Sequence, residues 1–351
     1  MTRFDTQSTS RPASRSTTGP RTLSRRRFAS LAGKGALAGA ALAAFPAAAL
    51  AQPQAFPNRP IRFIVPFPSG SGTDTTARMF AKKIGELTGQ GVVVENKPGG
   101  NGFIGVQTLL SAPADGYTVF IGSNSTLSTN AAIFRKLPYD PLTDFTPITL
   151  LSRGPCLIIV PASSPYRTLK DLMEDARKRP GALNYGTGSM SYTLYSEWLN
   201  EQGRMKTTAV PYKGAGDAIN GVMAANVDFA VVDASGAIEL VKGGKVRGLA
   251  YTAPQRSPLL PGVPNAAEAG VPDFLAYNWV AAAVSARTPA PIARRLGELF
   301  AAAGAADDVK EYYQHQSTAL ILSTPAELHN YQKEEIARWK RLAEIAKIEL
   351  Q

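Results

Sequence analysis

The sequence predicts an α/β fold of two lobes, each a mostly parallel sheet flanked by helices, with a ligand cleft between the lobes. Short runs of β-branched and aromatic residues alternate with longer segments of helical spacing, a pattern typical of such sheets. Two apolar runs, "GPCLIIV" and "YNWVAAAVSARTPAP", each follow a proline-rich stretch. We expect these runs to carry the chain between the lobes and to form a hinge. The predicted lobes are residues 56–154 with 277–351, and residues 155–276.

The first 51 residues are predicted to be an export signal that is cleaved near Ala51. A basic segment ending in "SRRRF" precedes a small apolar run, and Ala49-Leu50-Ala51 fits a signal peptidase site. Arginines followed by Phe28 resemble the twin-arginine signal, although the general export route stays open. An uncleaved anchor is the alternative, but the run is shorter than the roughly 20 residues that span a bilayer and contains Pro46. The sequence therefore predicts a periplasmic protein.

Charge and composition exclude several classes of function. Removing the signal's eight basic residues and one acid from the chain's 38 and 27 leaves 30 and 26, a net charge of +4 instead of +11. This mild excess lacks the concentrated basic face that nucleic acid requires. Cys156 is the single cysteine and lies in an apolar run, which favours a core residue over a nucleophile. With only His315 and His329 besides, a zinc site or a Ser/Cys-His catalytic arrangement has little material.

Predicted strands alternate with helical patterns along the chain. Strands are predicted at 61–65, 92–95, 117–122, 156–160, 183–186, 227–232 and 246–252, separated by helical patterns. The chain ends in a long helix, for which Thr324 is a suitable N-cap, Pro325 suits the first turn and Glu327 completes a capping box.

The loop after the first strand, "PFPSGSGTD", is the first candidate anion site. Small side chains from Pro68 to Gly72 let backbone N–H groups approach an oxyanion, and a helix beginning near Asp74 adds its positive end. A nucleotide is disfavoured because Thr73 and Asp74 follow the last glycine, where a phosphate loop needs Lys and Ser/Thr. From the residues alone, the loop is either a carboxylate site or only a tight strand-to-helix turn.

Two further loops leave strand ends with small or polar residues. They are "GSNSTLSTN" (122–130) and "NYGTGSMSYT" (184–193). Since ligands of parallel α/β sheets bind at the carboxyl ends of strands, three such loops around one cleft suit a small anion with several oxygens. A fourth segment, "ENKPGGNGFIG" (95–105), is interpreted as a turn that allows close packing, with ligand contact as the alternative.

Together, these segments resemble a known family. "PIRFIVPFPSGSGTDTTAR", "VVVENKPGGNGFIG", "APADGYTVFIG", "LPYDPLTDFTPIT", "VPYKGAGDAINGVMAANVDF" and "GGKVRGLAYTAPQRSPLLPGVPNAAEAGVP" occur in the order typical of Bug-type extracytoplasmic solute receptors, the binding components of tripartite tricarboxylate transporters. The resemblance covers the chain from about Phe56 to its end. It implies a periplasmic binding protein of two α/β lobes (type II-like) with no catalysis, no cofactor and no metal.

The resemblance also implies a ligand, partners and a site. The ligand is a small carboxylate: a di- or tricarboxylate, an acidic amino acid or an aromatic acid. The partners are the permease components of a tripartite transporter or, alternatively, the sensor kinase of a two-component system, and the receptor itself is expected to be a monomer. The implied binding residues are Phe67, Pro68, Ser69, Gly70, Ser71, Gly72, Thr73, Asp74, Ser123, Asn124, Ser125, Thr126, Gly186, Thr187, Gly188, Ser189, Ser191 and Asp233.

Two carboxylates in this set keep alternative roles. Asp74 is either a helix cap or the partner of a ligand ammonium group, and Asp233 is either a pocket residue facing a donor on the ligand or a turn residue. The sequence departs from the family pattern at Ser71, where glycine is usual, and at Thr193, where His is frequent. It also departs at Val232-Asp233, followed by Ala234, where an Asp-Asn pair is common. Because these changes fall where ligand identity is set, the resemblance does not identify the ligand.

Overall fold

The computed structural model describes residues 56–345, 348 and 350. The predicted export signal therefore lies outside the described residues. The strands are β1 (Ile61–Val65), β2 (Val92–Asn96), β3 (Thr118–Ser123), β4 (Phe145–Pro161), β5 (Asn184–Thr187), β6 (Thr208–Pro211), β7 (Phe229–Asp233), β8 (Val246–Tyr251), β9 (Tyr277–Ser285) and β10 (Ala319–Leu320).

Helices connect most of these strands. They are α1 (Gly72–Thr88), α2 (Phe103–Leu110), α3 (Asn130–Ile133), α4 (Leu169–Lys178), α5 (Met190–Gly203), α6 (Ala215–Met223), α7 (Ala234–Lys242), α8 (Ala290–Gly304), α9 (Asp307–Gln314) and α10 (Pro325–Ile345). A 3-10 turn (Gly100–Gly102) precedes α2, and a π-helical turn (Ser125–Thr129) precedes α3. The predicted α/β class is confirmed.

The sheet is mixed, and its path runs β2-β1-β3-β9-β4-β7-β5-β6, with β8 and β10 also pairing with β4. The outer strands pair in parallel: β1 with β2 and β3, and β5 with β6 and β7. The central pairs β4–β9, β3–β9, β4–β7 and β4–β8 are antiparallel. The antiparallel centre has a simple cause, since the chain leaves one half through β4 and returns beside it through β9.

Both faces of the sheet are covered, which accounts for the near-continuous apolar runs in its strands. Ile61, Phe63 and Val65 of β1 face one core, whereas Ile64 faces another. In the same way, Ile158 and Leu157 of β4 face two different cores. The alternation follows from the period of two along a strand.

The predicted strands agree with the structure to within a few residues, with three differences. β4 begins at Phe145, well before the predicted run, and passes through both halves of the sheet. β6 and β10 were not predicted, because β6 is a largely exposed edge strand and β10 has only two residues. The capping box of α10 is confirmed: Thr324 N–H donates to Glu327 Oε2 (2.7 Å), and Glu327 N–H donates to Thr324 Oγ1 (3.2 Å). The assignment to two lobes stays a prediction.

Candidate functional site

The loop between β1 and α1 is held by its own polar groups. Ser71 is the N-cap of α1, and its Oγ accepts from Asp74 N–H (3.2 Å). Gly70 has φ +83°, which glycine adopts without strain, and its N–H donates to Asp74 Oδ2 (2.9 Å). Ser69 Oγ lies 3.4 Å from the same oxygen. These hydrogen bonds fix the turn from β1 into α1.

Asp74 is buried and fully occupied within this loop. Its carboxylate also accepts from Arg78 Nε (2.9 Å) and Asn96 Nδ2 (2.8 Å). Burial raises the pKa of Asp74, but the hydrogen bonds from Arg78, Gly70 and Asn96 outweigh it, so the pKa is lowered overall. Asp74 lines none of the cavities described below. Of its two predicted roles, the geometry favours the one that organises the start of α1.

The second loop follows β3 into the buried π-helical turn, a feature that is frequent at functional sites. Ser125 Oγ and Thr129 Oγ1 each lie 2.9 Å from Ser191 Oγ at the start of α5. Tyr139 O–H donates to the Thr126 carbonyl (2.6 Å), so Thr126 serves the packing of the turn. Asn124 is also buried, and its Oδ1 has no hydrogen-bond partner.

The third loop joins β5 to α5 and packs tightly against the start of α6. An ideal Cβ placed on Gly188 would lie 2.1 Å from the carbonyl carbon of Gly214 and 2.3 Å from Ala215 N, so only glycine fits there. Neither α5 nor α6 has a side-chain N-cap hydrogen bond at its first turn. The positive ends of both helices therefore lie beside this loop without a capping side chain.

Asp233 ends β7 directly before α7. The O–H of Tyr192 donates to its Oδ1, and the side chain of Asn278 also acts as a donor toward it. Its Oδ2 lies 3.2 Å from the position that a Cβ on Gly72 would occupy. Burial raises the pKa of Asp233, and the two donors only partly offset that effect. Asp233 is thus a pocket residue at the point where α1, β7 and β9 meet.

A small central cavity of about 20 Å³ lies where these loops meet. Eight of the predicted residues line it: Phe67, Ser71, Gly72, Thr73, Ser123, Gly188, Ser189 and Asp233. Three lining residues were not predicted: Tyr192, Ala215 and Asn278. Its volume is close to that of one water-sized group.

Larger cavities adjoin the central cavity on two sides. The first flanking cavity, about 250 Å³, shares Gly72, Asp233 and Asn278 with it. Gly70 also lines this side, together with Ser235 of α7 and with Tyr312, Tyr313 and Gln316 from the C-terminal part of the chain. The second flanking cavity, about 320 Å³, shares Phe67, Gly188 and Ser189 with the central one. Ser125, Thr187, Asn101, Tyr212 and Lys213 also line this second side.

Seven predicted site residues line none of these three cavities: Pro68, Ser69, Asp74, Asn124, Thr126, Gly186 and Ser191. They support the loops instead. The ring of Pro68, for example, packs against Gly214 at about 3.1 Å from an ideal Cβ there. In the glycine-rich segment 95–105, Gly105 packs against Pro66, as expected for a close-packing turn. Residues 99–102 line the second flanking cavity, and their contact with a ligand stays a prediction.

The residues that were missed differ in how far the sequence could have indicated them. Tyr192 lies within the segment 184–193, and Asn278 lies in the predicted "YNWV" crossing, so both belong to features already recognised. Tyr312 and Gln316 come from the region around the end of α9 and carry no local signal. They reach the site only through tertiary packing.

Three further features of the described residues concern metal binding, the single thiol and membrane spans. Within residues 56–345, 348 and 350, no group of three or more His, Cys, Asp and Glu residues could hold a metal ion. Cys156 is fully buried, and burial raises the pKa of its thiol well above the ordinary value. No helix in this part of the chain is long and apolar enough to cross a membrane.

Comparison with known proteins places this architecture among receptors. The family model described as "Tripartite tricarboxylate transporter family receptor" matches residues 76–350. A UPF0065 protein encoded in the tcbD-tcbE intergenic region of a Pseudomonas species is 34% identical over 310 residues, covering 87% of this chain and 92% of that protein.

Solved structures agree with this comparison. The structure of Rpa4515 from R. palustris with adipate superposes with a TM-score of 0.80 at 33% identity, covering 84% of this chain and 99% of that one. The periplasmic binding protein BugD gives a TM-score of 0.80 at 28% identity, covering 84% of this chain and all of that one. The predicted resemblance and the predicted binding-protein fold class are confirmed.

Proposed function

This chain belongs to the family of tripartite tricarboxylate transporter receptors, and from that premise we propose that it captures a small carboxylate where the central cavity meets its flanking cavities and delivers it to transporter components in the membrane. The observation that carries the proposal is the convergence of three small-residue loops on one cavity. Each loop follows a strand, and two of them begin helices α1 and α5, whose positive ends suit an anion.

The free energy of binding indicates why more than one loop is needed. A charge-assisted hydrogen bond contributes about 1.5–3 kcal/mol, and a helix N-terminus contributes up to about 2 kcal/mol when it is partly buried. Micromolar affinity needs about −8 kcal/mol, and the ordering of ligand and loops must be offset as well. One loop does not reach that value. Donors from two or three loops do, which supports a ligand that is gripped from several sides.

The cavity sizes suggest how the ligand lies. The central cavity of about 20 Å³ has room for one water-sized group, such as a single ligand atom, and not for a whole organic acid. The remainder of the molecule therefore extends into a flanking cavity of about 250 or 320 Å³. Because the lining residues come from both predicted lobes, the ligand would favour the closed arrangement over an open one.

The proposal assigns no catalytic step to the site. Ser71, Ser123 and Ser189 line the central cavity, but none of its lining residues is a histidine or lysine that could activate a hydroxyl. We place the mature protein in the periplasm, as the predicted export signal and the family suggest.

Binding is tested by thermal unfolding of protein purified without refolding, against a panel of di- and tricarboxylates, acidic amino acids and aromatic acids. Selective ligand binding raises the melting temperature by mass action. We expect at least one acid to produce a concentration-dependent rise. A panel without any shift, together with no small acid released on denaturation and mass spectrometry, would overturn the proposal.

Delivery is tested in cells that lack this chain but retain the membrane components. We expect uptake of the identified acid to be lost and then restored by the wild-type chain. A Gly188→Ala chain that is exported but does not bind the acid should fail to restore it.

A further inference from the structure

The charges around the three cavities are distributed unevenly. Among all the lining residues of the central cavity and its two flanks, Asp233 and Lys213 are the charged ones. Asp233 lines the central and first flanking cavities, whereas Lys213 lines the second. A ligand that spans the central cavity therefore meets a negative group at one end and a positive group at the other.

Asp233 has hydrogen-bond partners but no cationic one in the described part of the chain. Its neighbours are Tyr192 from α5, Asn278 from β9 and Gly72 from α1, and Cys156 lies opposite it in the β4–β7 pair. Tyr192 and Cys156 are titratable, but burial raises the pKa of both, so both are neutral near pH 7. Neither side chain can carry a positive charge. A carboxylate in such surroundings is normally paired with a cation.

The nearby Asp74 provides a comparison. Its carboxylate is bonded by the guanidinium of Arg78 and by Asn96, and it lines none of the three cavities. The site thus contains one carboxylate that the protein neutralises and one that it leaves facing the ligand. A second ligand carboxylate beside Asp233 would be repelled, whereas a cation there would be attracted.

The opposite side of the site suits an anion. Gly188 and Ser189, at the start of α5, line the second flanking cavity together with Lys213, which is exposed. The N-termini of α5 and α6 lie there without side-chain caps. These groups provide partial or full positive charge where a ligand carboxylate would lie.

We infer that the ligand is a zwitterionic amino acid, with its carboxylate held by the α5 loop and its ammonium group facing Asp233, and that a dicarboxylate of the same length is disfavoured. This inference rests on the proposed carboxylate-binding function and narrows it to one substrate class. Asp233 then acts as a specificity-determining residue, since it selects the group at the far end of the ligand.

The experiment measures the affinity of the full chain for pairs of acids in which one carboxylate is exchanged for an ammonium group. The pairs are succinate with 3-aminopropanoate, glutarate with 4-aminobutanoate, and adipate with 5-aminopentanoate. Calorimetry at pH 7 should show at least a tenfold preference for the amino member of the best-bound pair. The Asp233→Asn variant should lose most of that preference, whereas Asp273→Asn, an exposed acid outside the cavities, should keep it.

A pH series provides a second measurement that needs no variant. Because protonation of Asp233 removes its negative charge, affinity for the amino acid should fall as the pH is lowered, while affinity for the paired dicarboxylate should rise or stay level. Equal or tighter binding of the dicarboxylate at pH 7, or of the corresponding hydroxy acid, overturns the inference and leaves carboxylate capture intact. Failure of every acid to bind overturns the proposed function itself.

Discussion

Ser191 Oγ lies 2.9 Å from Ser125 Oγ, so a hydrogen bond joins the third binding loop to the second across 66 residues of sequence. Both side chains are buried, and Ser191 Oγ also lies 2.9 Å from Thr129 Oγ1. In the predicted division of the chain, Ser125 and Ser191 belong to different lobes. We therefore expect this contact to join the two predicted lobes when a ligand holds them together.

Removing this contact should weaken binding. Ser191→Ala leaves two buried hydroxyl groups without their partner, which costs about 1–2 kcal/mol and corresponds to about 5- to 30-fold weaker ligand affinity. Isothermal calorimetry with the bound acid checks this. Ser196 provides a matched control, since it is buried in the same helix and its Oγ has no hydrogen-bond partner. Ser196→Ala should bind as the wild type does, and equal losses in both variants would contradict the closure role.

Gly188→Ala should disrupt the site through its backbone. The added methyl group would lie 2.1 Å from the carbonyl carbon of Gly214, so the α5 and α6 loops must separate. Such overpacking costs about 1–3 kcal/mol, and we expect a lower melting temperature and a loss of affinity of tenfold or more.

The control for this variant is Gly216→Ala in α6. No atom lies within 4 Å of a Cβ at Gly216, and alanine favours helix, so this variant should be neutral or more stable by up to about 1 kcal/mol. Unchanged binding by Gly188→Ala would show that the close contact between the α5 and α6 loops is not needed for ligand binding.

Asp74 should make stability depend on pH in a defined direction. Its folded-state pKa is lowered, so its stabilising effect is complete above the unfolded pKa of about 4 and disappears as the pH falls through the folded value. We expect Asp74→Asn to be less stable than the wild type by about 1–3 kcal/mol at pH 7. The share from Arg78 is reduced by solvent, because that side chain is 51% exposed.

Urea unfolding of both proteins at pH 7 and at about pH 3 measures the effect of Asp74. The difference should shrink at the lower pH, because the stabilisation by the wild-type carboxylate is lost progressively as the pH falls below the unfolded pKa of about 4. Asp273→Asn, an exposed substitution, should show little difference at either pH. A gap that widens in acid would mean that Asp74 does not stabilise the fold as a carboxylate.

Cys156 should be inert in the folded protein. It is fully buried in β4, and burial raises the pKa of its thiol, so the reactive thiolate is scarce. We expect DTNB to label less than about a tenth of the protein over an hour at pH 8, and one thiol per chain after unfolding in guanidinium. Rapid stoichiometric labelling of the native protein would place this thiol at a surface instead.

The sequence predicted the parts of the site that are local and missed those that depend on packing. The loops after β1, β3 and β5 could be located because small residues follow a strand pattern directly, as in Pro68 to Gly72. Asp233 could be singled out but not assigned a role, since its surroundings are set by Tyr192 and Asn278 from other elements. Tyr312 and Gln316 carry no local pattern that marks them as lining residues.

The fold was also predictable where a segment has a clear local pattern and not where its position depends on tertiary packing. Short strand-like runs identified β1 and β8 almost to the residue, because most residues of both strands are buried. The exposed edge strand β6 has no such run. The antiparallel direction of β9 is also a tertiary property, decided by where the chain returns and not by the residues of the strand.

β4 changes its pairing partner from β9 to β7 between two consecutive residues. Pro155 is its last residue in register with β9, opposite Tyr277, and Cys156 is its first in register with β7, opposite Asp233. Asn278, which follows Tyr277, and Asp233 are thereby fixed to neighbouring peptide units of one continuous strand. Any change of twist at that junction alters the separation of the two side chains directly. The width of the central cavity, which both side chains line, therefore depends on the backbone of β4 at Pro155 and Cys156.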